Sequence, residues 1–310
     1  MEALPHHGYL EFHHDTLEVV RREVGLHRPG EMADAVRILD DWVKQQKHFL
    51  KKNIDPVYLE TLIVMSKGSL ERAKCVLDKM CTARTLAPRY FDPYDVAKEY
   101  QIIKGTSFIL SLPKLTEEYY RLMVWKFNGR FPPRIVEGVY KFVFSSLEYH
   151  KRWDYFAGGV LIYDLSQVDL GHIITTLDLV ELKNVYMIIL EGYGARIKRI
   201  HIITASKLVY TVINFFKQFL TKKIVDRLMV HESWEVLQQY YPRHILPKDY
   251  GGTERSLEEL REDFLSRLSS AECQEYLKEL SEMRVDEAHR PVSSADDVIS
   301  SGTFRVLNID

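Results

Sequence analysis

Cysteine is scarce in this chain: Cys75, Cys81 and Cys273 are the three in 310 residues. No two stand at CxxC spacing, which argues against a zinc or dithiol motif, and sparse thiols in odd number suit a reducing cytosol. An excess of one charge is also lacking, with 42 Lys and Arg against 44 Asp and Glu and a net charge of −2. No global positive field draws nucleic acid, so no nucleic-acid partner is expected and any anion must be held by a local cluster. No stretch reaches the ~18 uninterrupted apolar residues of a bilayer span. The oiliest segments, near 185–190 and 208–220, are too short or too amphipathic. The opening MEALPHHGYLEFHHD lacks the basic start and apolar run of a signal peptide. The expectation is a soluble, cytoplasmic chain whose membrane association is peripheral.

Catalytic signatures are missing as well. No GxGxxG follows a strand and no P-loop occurs, so a nucleotide would lack its phosphate cradle. Gly192-Tyr193-Gly194 has no third glycine and reads as a turn. Neither a GxSxG elbow nor HExxH is present. His6-His7 and His13-His14 lie on a polar terminus without cysteines or clustered carboxylates, and read as an exposed segment. No metal and no cofactor is expected. His172 and His201 sit in apolar surroundings and read as satisfied core residues, His201 bonding a neighbouring backbone group. Asp164, at a strand end, reads as a turn or cap residue. An enzyme acting on a bound lipid would draw on Asp164, His172 and His201, but no partner base or nucleophile stands beside them, and the protein is not expected to be an enzyme.

What is present is apolar: 46% of residues are hydrophobic and 12% aromatic, including 18 Tyr and 14 Phe. That supports a substantial core in one large domain or two smaller ones. Residues 1–95 read as a helical domain. Met32, Val36, Leu39, Val43 and Phe49 recur at near-helical spacing, Pro56 opens a helix, and Ser69 caps LERAKCVLDKMCTAR. From about residue 100 strands and helices alternate. RLMVWKF (121–127), VLIYDL (160–165), RIHIIT (199–204) and Leu228–Val230 read as strands. Pro132–His150, Leu170–Leu190, Ser206–Leu220 and Trp234–Tyr240 read as helices. The alternation implies an α/β fold with a mainly parallel sheet over 96–255. Residues 256–310 read as a charged helical segment to Met283 and a polar, mobile tail from Asp286 to Ser301.

On a helical wheel, Leu208, Val209, Val212, Ile213, Phe215, Phe216, Phe219 and Leu220 fall within one arc of about 160°. Lys222, Lys223 and Arg227 follow at once. An oily face beside positive charge is either an ordinary core helix or the cover of a lipid site that meets a membrane.

Four runs in series carry a resemblance: VLIYDLSQVDLGH, GYGARIKRIHIIT, KQFLTKKIVDRLMVHES and YYPRHILPKDYGG. Their order and spacing, across about Leu115–Gly252, resemble the CRAL-TRIO (Sec14-like) lipid-binding family, in particular an insect group similar to alpha-tocopherol transfer protein and cellular retinaldehyde-binding protein. Upstream, SLERAKCVLDKMCTARTLAPRYF resembles the end of the family's N-terminal helical domain. The resemblance implies an N-terminal helical bundle followed by an α/β lipid-binding domain closed by a mobile gate helix, here Ser206–Leu220. It implies transport of one small hydrophobic ligand between membranes: a retinoid, a tocopherol-like or a carotenoid-derived molecule. A phospholipid-sensing adaptor that regulates a partner protein is the alternative. Ligand-lining positions carried across are Tyr163, Ile188, Ile189, Tyr193, Ile200, Val209, Val212, Ile213, Phe216 and Phe219, with the Tyr163 and Tyr193 hydroxyls suited to an oxygenated head group. Phosphoinositide-binding positions carried across are Arg196, Lys223 and Arg227, with Lys198 and Lys222 adding charge. Relatives also carry N-terminal arginines where this chain has Thr61 and Val64; Lys67 stands close by.

Overall fold

The computed structural model describes residues 3–4, 8–129, 133–176 and 178–290. The His6-His7 pair, the Pro132 start of one expected helix and most of the expected polar tail lie outside these. The N-terminal part is helical: α1 (Thr16–Glu23), α2 (Glu31–Gln45), α3 (Pro56–Met65), α4 (Leu70–Leu86), α5 (Pro88–Phe91) and α6 (Val96–Ile103). Asp55 and Ser69 cap α3 and α4, their side chains accepting from the Val57 and Arg72 amides. Every residue of α3 from Tyr58 to Met65 is buried, so this helix is the hub of the bundle rather than an amphipathic wall. Its one carboxylate, Glu60, accepts from Arg21 at 2.7 Å and from the Tyr155 hydroxyl at 2.9 Å, which satisfies a charge with no access to water.

The sheet follows, with β1 (Ser107–Leu115), β2 (Tyr120–Gly129), β3 (Gly158–Val168), β4 (Ile197–Ile203) and β5 (Leu228–His231) in the order β1-β2-β3-β4-β5. β1 and β2 are an antiparallel hairpin, and β2 to β5 pair in parallel. The hairpin strand β1 escapes a reading by alternation because it is buried along most of its length, on both faces. Parallel pairing demands long crossovers. They are α7 (Pro133–Trp153); α8 (Leu170–Thr176) with α9 (Leu179–Met187) and a π-helical turn over Ile188–Gly192; and α10 (Val209–Lys217) with α11 (Lys222–Val225). The single helix expected over Leu170–Leu190 is thus three pieces, restarted at Asp178, whose side chain caps α9.

Beyond β5, a short helical turn at Trp234–Val236 leads into α12 (Leu237–Tyr240), and the chain crosses the sheet face opposite α7. There Tyr250 donates to Asp164 Oδ2 at 3.0 Å, and the Tyr241 hydroxyl meets His201 Nε2 at 2.9 Å. The YGG closing this crossing is dictated by space. Gly251 has φ +68°, and a Cβ on Gly252 would fall inside the Leu246 carbonyl. α13 (Leu257–Leu268) and α14 (Ala271–Ser281) follow, and a short helical turn at Glu287–His289 comes near the end of the described chain; α13 opens with a capping box between Ser256 and Glu259.

Candidate functional site

Strand alternation sends Trp125 and Phe127 of β2, Leu161, Tyr163 and Leu165 of β3, and Ile200 and Ile202 of β4 to one face of the sheet. Across from them stand Val136, Val139, Tyr140 and Val143 of α7, Leu182, Val185 and Tyr186 of α9, and Val209, Val212, Ile213 and Phe216 of α10. Between sheet and helices lies a cavity of about 220 Å³, walled by apolar side chains and tyrosines. Inside it the Tyr186 hydroxyl donates to that of Tyr163 at 2.9 Å. Burial raises the pKa of both phenols, Tyr186 to about 12, so both are neutral. Tyr163, which lines the cavity, accepts this bond and retains a hydroxyl proton of its own.

Of the ten expected lining residues, Tyr163, Ile189, Ile200, Val209, Val212, Ile213 and Phe216 stand together on this cavity. Ile188, Tyr193 and Phe219 do not line it. Ile188 is packed in the core as the first residue of the π turn. Tyr193 stacks on Phe144, and its hydroxyl is held by Glu148 Oε1 at 2.7 Å, so it has no proton left for a head group. Phe219 lies past the end of α10, with the Lys183 ammonium 4.2 Å from its ring centre. Trp125, Tyr186 and Leu228 escaped the sequence reading as cavity residues; strand alternation in RLMVWKF is the signal that could have found Trp125.

A smaller chamber of about 60 Å³ adjoins the first and shares Trp125, Leu161, Ile189 and Ile197 with it. Its far wall holds Thr61 and Met65 of α3, His150 and Lys151 of α7, and Tyr193. Burial lowers the Lys151 pKa to about 8, and its ammonium donates to the Tyr193 carbonyl at 3.1 Å. Next to it, Ser111 Oγ meets His150 Nε2 at 2.7 Å and His150 Nδ1 meets Asp154 Oδ2 at 2.9 Å. The order Ser–His–Asp is that of a hydrolase relay, but Ser111 borders neither chamber and Arg121 clamps Asp154 through two hydrogen bonds. Burial works against the Asp154 charge, yet Arg121 and His150 outweigh it and hold the pKa to about 2. The network is a polar strut between β1 and the end of α7.

The polar residues of the catalytic alternative are dispersed and engaged. Asp164 accepts from Ser166 and Tyr250, and the backbone of His172 is capped by Asp169. His201 bonds no backbone group, contrary to expectation; its ring lies between His231 Nε2, at 3.0 Å, and the Tyr241 hydroxyl. No group of three or more His, Cys, Asp or Glu suited to a metal occurs among the described residues.

The expected anion-binding residues lie beside α11. Arg196 is almost buried, donating to Glu23 at 2.7 Å and to the Val64 carbonyl, and Arg227 donates to the Ile197 carbonyl. Lys222 and Lys223 are exposed. Thr61 and Val64 are core positions of α3, so they present no side chain to this surface. Lys67 does: its pKa is lowered chiefly by the charge of Lys223, and further by Arg72 and Arg196. Two ammonium groups from different parts of the chain therefore face one another.

Among the described residues no helix is long and apolar enough to cross a membrane. Residues 136–252 match the CRAL/TRIO domain family. A Mus musculus protein named alpha-tocopherol transfer protein-like is 25% identical over 256 residues, covering 81% of this chain and 74% of its own. The Homo sapiens protein of that name is 24% identical over the same shares. The crystal structure of Sfh5 superposes on 76% of this chain and 92% of its own, at 9% identity and a TM-score of 0.47. CRAL-TRIO proteins are generally non-enzymatic and bind or transfer lipophilic molecules. Residues 136–252 are thus a CRAL/TRIO domain by family match, in agreement with the resemblance read from the sequence.

Proposed function

We propose that this protein encloses one small hydrophobic molecule and carries it between membranes, with α10 as the gate. The observation that carries the reading is the apolar cavity of about 220 Å³ that α10 walls on one side. Burial of apolar surface at about 25 cal/mol/Å² drives uptake without any covalent step. A lining this apolar favours a hydrophobic ligand with few polar groups, one of whose oxygens the Tyr163 hydroxyl would bind; the retinoid, tocopherol-like and carotenoid-derived classes fit that description. The relatives named alpha-tocopherol transfer protein-like agree with it. Leu208 and Tyr210 at the start of α10 are exposed, an arrangement that suits contact with a lipid surface as the gate opens. Lys223 and Arg227, with Arg196 behind them and Lys67 opposite, would hold a phosphoinositide head group at the mouth and assist release.

Native mass spectrometry of the purified protein tests the first half: one co-purified lipophilic molecule per chain is expected. Transfer of that molecule between vesicles tests the second. A protein that emerges empty and takes up no retinoid, tocopherol or phospholipid sinks the reading. Binding without transfer leaves the adaptor function in its place.

A further inference from the structure

Two aromatic side chains join the gate α10 to α9. Inside the cavity, Phe216 meets the Tyr186 ring at 5.0 Å between centres. In the turn that ends α10, Phe219 meets Phe215 edge-on at 5.4 Å and holds the Lys183 ammonium over its ring, 4.2 Å from the centre. α9 is a fixed post for this second contact. Glu181 accepts from Arg89 at 2.9 Å and from the Tyr90 hydroxyl, and Lys79 donates to Glu191 at 2.8 Å. The stretch from α9 through the π turn is thus tied at both ends to the N-terminal helices. In α10 only Val209 and Ile213 are buried, so a single contact beyond its last residue weighs on whether that end opens.

Among the described residues Lys183 has the Phe219 ring as its partner and no carboxylate. The acids nearest it in sequence are engaged, Glu181 as above and Asp178 by the Val180 and Glu181 amides that it caps. The attraction of an ammonium for a ring and the pull of an anionic lipid surface on one lysine are of similar size. A phosphate-bearing surface can therefore take Lys183 from the ring, whereas water leaves it there. Val180, one turn earlier on the same face of α9, is 65% exposed. An apolar side chain in water one turn from an ammonium fits a lipid surface and not a dissolved anion. Building on the reading of α10 as a gate, we propose that Lys183 is its latch: the ammonium holds Phe219 and the end of α10 on α9 in water, and the phosphate of an anionic lipid draws it off and frees the helix.

Two readouts on the full chain need no knowledge of the cargo, so a failed latch is told apart from a failed carrier, which native mass spectrometry decides. Hydrogen exchange in vesicle-free buffer reports the latch at the Leu220 amide, which donates to the Phe216 carbonyl. Lys183→Met keeps the stem and removes the charge, and is expected to speed exchange there about fivefold with α3 unaffected. Phe219→Leu is expected to do the same, and the double variant no more than either. Co-sedimentation with phosphatidylglycerol vesicles reports the phosphate. Lys183→Met is expected to weaken it about fivefold and Phe219→Leu not at all, with binding to phosphatidylcholine unaltered in both. Lys183→Arg is expected to behave as the native protein in both readouts, since guanidinium also stacks on a ring and binds phosphate. The latch is overturned if Lys183→Met leaves exchange at Leu220 or affinity for phosphatidylglycerol unchanged, or if the two substitutions add. Equal loss of vesicle affinity in Phe219→Leu marks a merely structural contact and overturns it too. Inorganic phosphate alone speeding exchange in the native protein as far as Lys183→Met does overturns the assignment to a lipid surface.

Discussion

At the residue scale, the cavity's tolerance for charge and the titration of one histidine are open to measurement. Phe216 is half-buried and turns its ring into the cavity, where Tyr186 meets it at 5.0 Å between ring centres. Phe216→Asp brings a carboxylate to an apolar wall and is expected to abolish lipid retention, read by mass spectrometry, while the cooperative melt survives. His201 is fully buried, and burial, followed by the charges of His231 and Arg199, lowers its pKa to about 4 from an ordinary 6.5. The unfolded chain therefore takes up a proton more readily than the folded one. The stability linked to His201 is complete above about pH 6.5 and is lost as the pH falls toward 4, by roughly 3 kcal/mol. Urea unfolding from pH 7 to 4 should show this loss in the native protein and a flatter profile in His201→Asn. An equally steep profile in the variant would assign the loss elsewhere.

At the element scale, α10 is held less firmly than the helices around it. Of its nine residues only Val209 and Ile213 are buried, whereas α3 is buried from Tyr58 to Met65. Helices with few buried contacts open locally before the fold does. Hydrogen exchange should therefore be faster in α10 than in α3 by orders of magnitude, and bound lipid should slow it. Matching protection in the two helices of the lipid-free protein would count against a gate. The crossing that ends in YGG is the rigid counterpart. Gly252→Ala should cost more than about 2 kcal/mol in chemical denaturation, because the clash is with backbone and no side chain can swing away.

At the scale of the whole molecule, the basic surface joins the N-terminal helices to the lipid-binding domain. Lys67 follows α3, Lys223 belongs to α11, and Arg196, between them, is tied to Glu23 of α1. Lys67→Glu combined with Lys223→Glu should slow ligand exchange with phosphoinositide-containing vesicles and remove most of its salt dependence, without altering lipid retention in solution. Unchanged exchange in this double variant would assign membrane contact to the apolar start of α10 alone.

The sequence by itself determined the kinds of element and their order. Period and capping are local properties, so Pro56, Ser69 and the run VLIYDL could be read one window at a time, and the four runs from Val160 to Gly252 carried the family. The arc Val209, Val212, Ile213 and Phe216 was legible as an apolar face, though not what it covers. Tertiary structure alone decided that the face closes a cavity, since a cavity is the space between β3, α7, α9 and α10, and no single segment encodes it. The same holds for Tyr193, whose proton goes to Glu148 forty-five positions earlier, for His201, which found His231 and Tyr241 instead of backbone, and for Lys67, which faces Lys223 across the chain. Contacts between residues far apart in sequence leave no periodic mark on either segment, and it is these contacts that separate a cavity wall from an ordinary core.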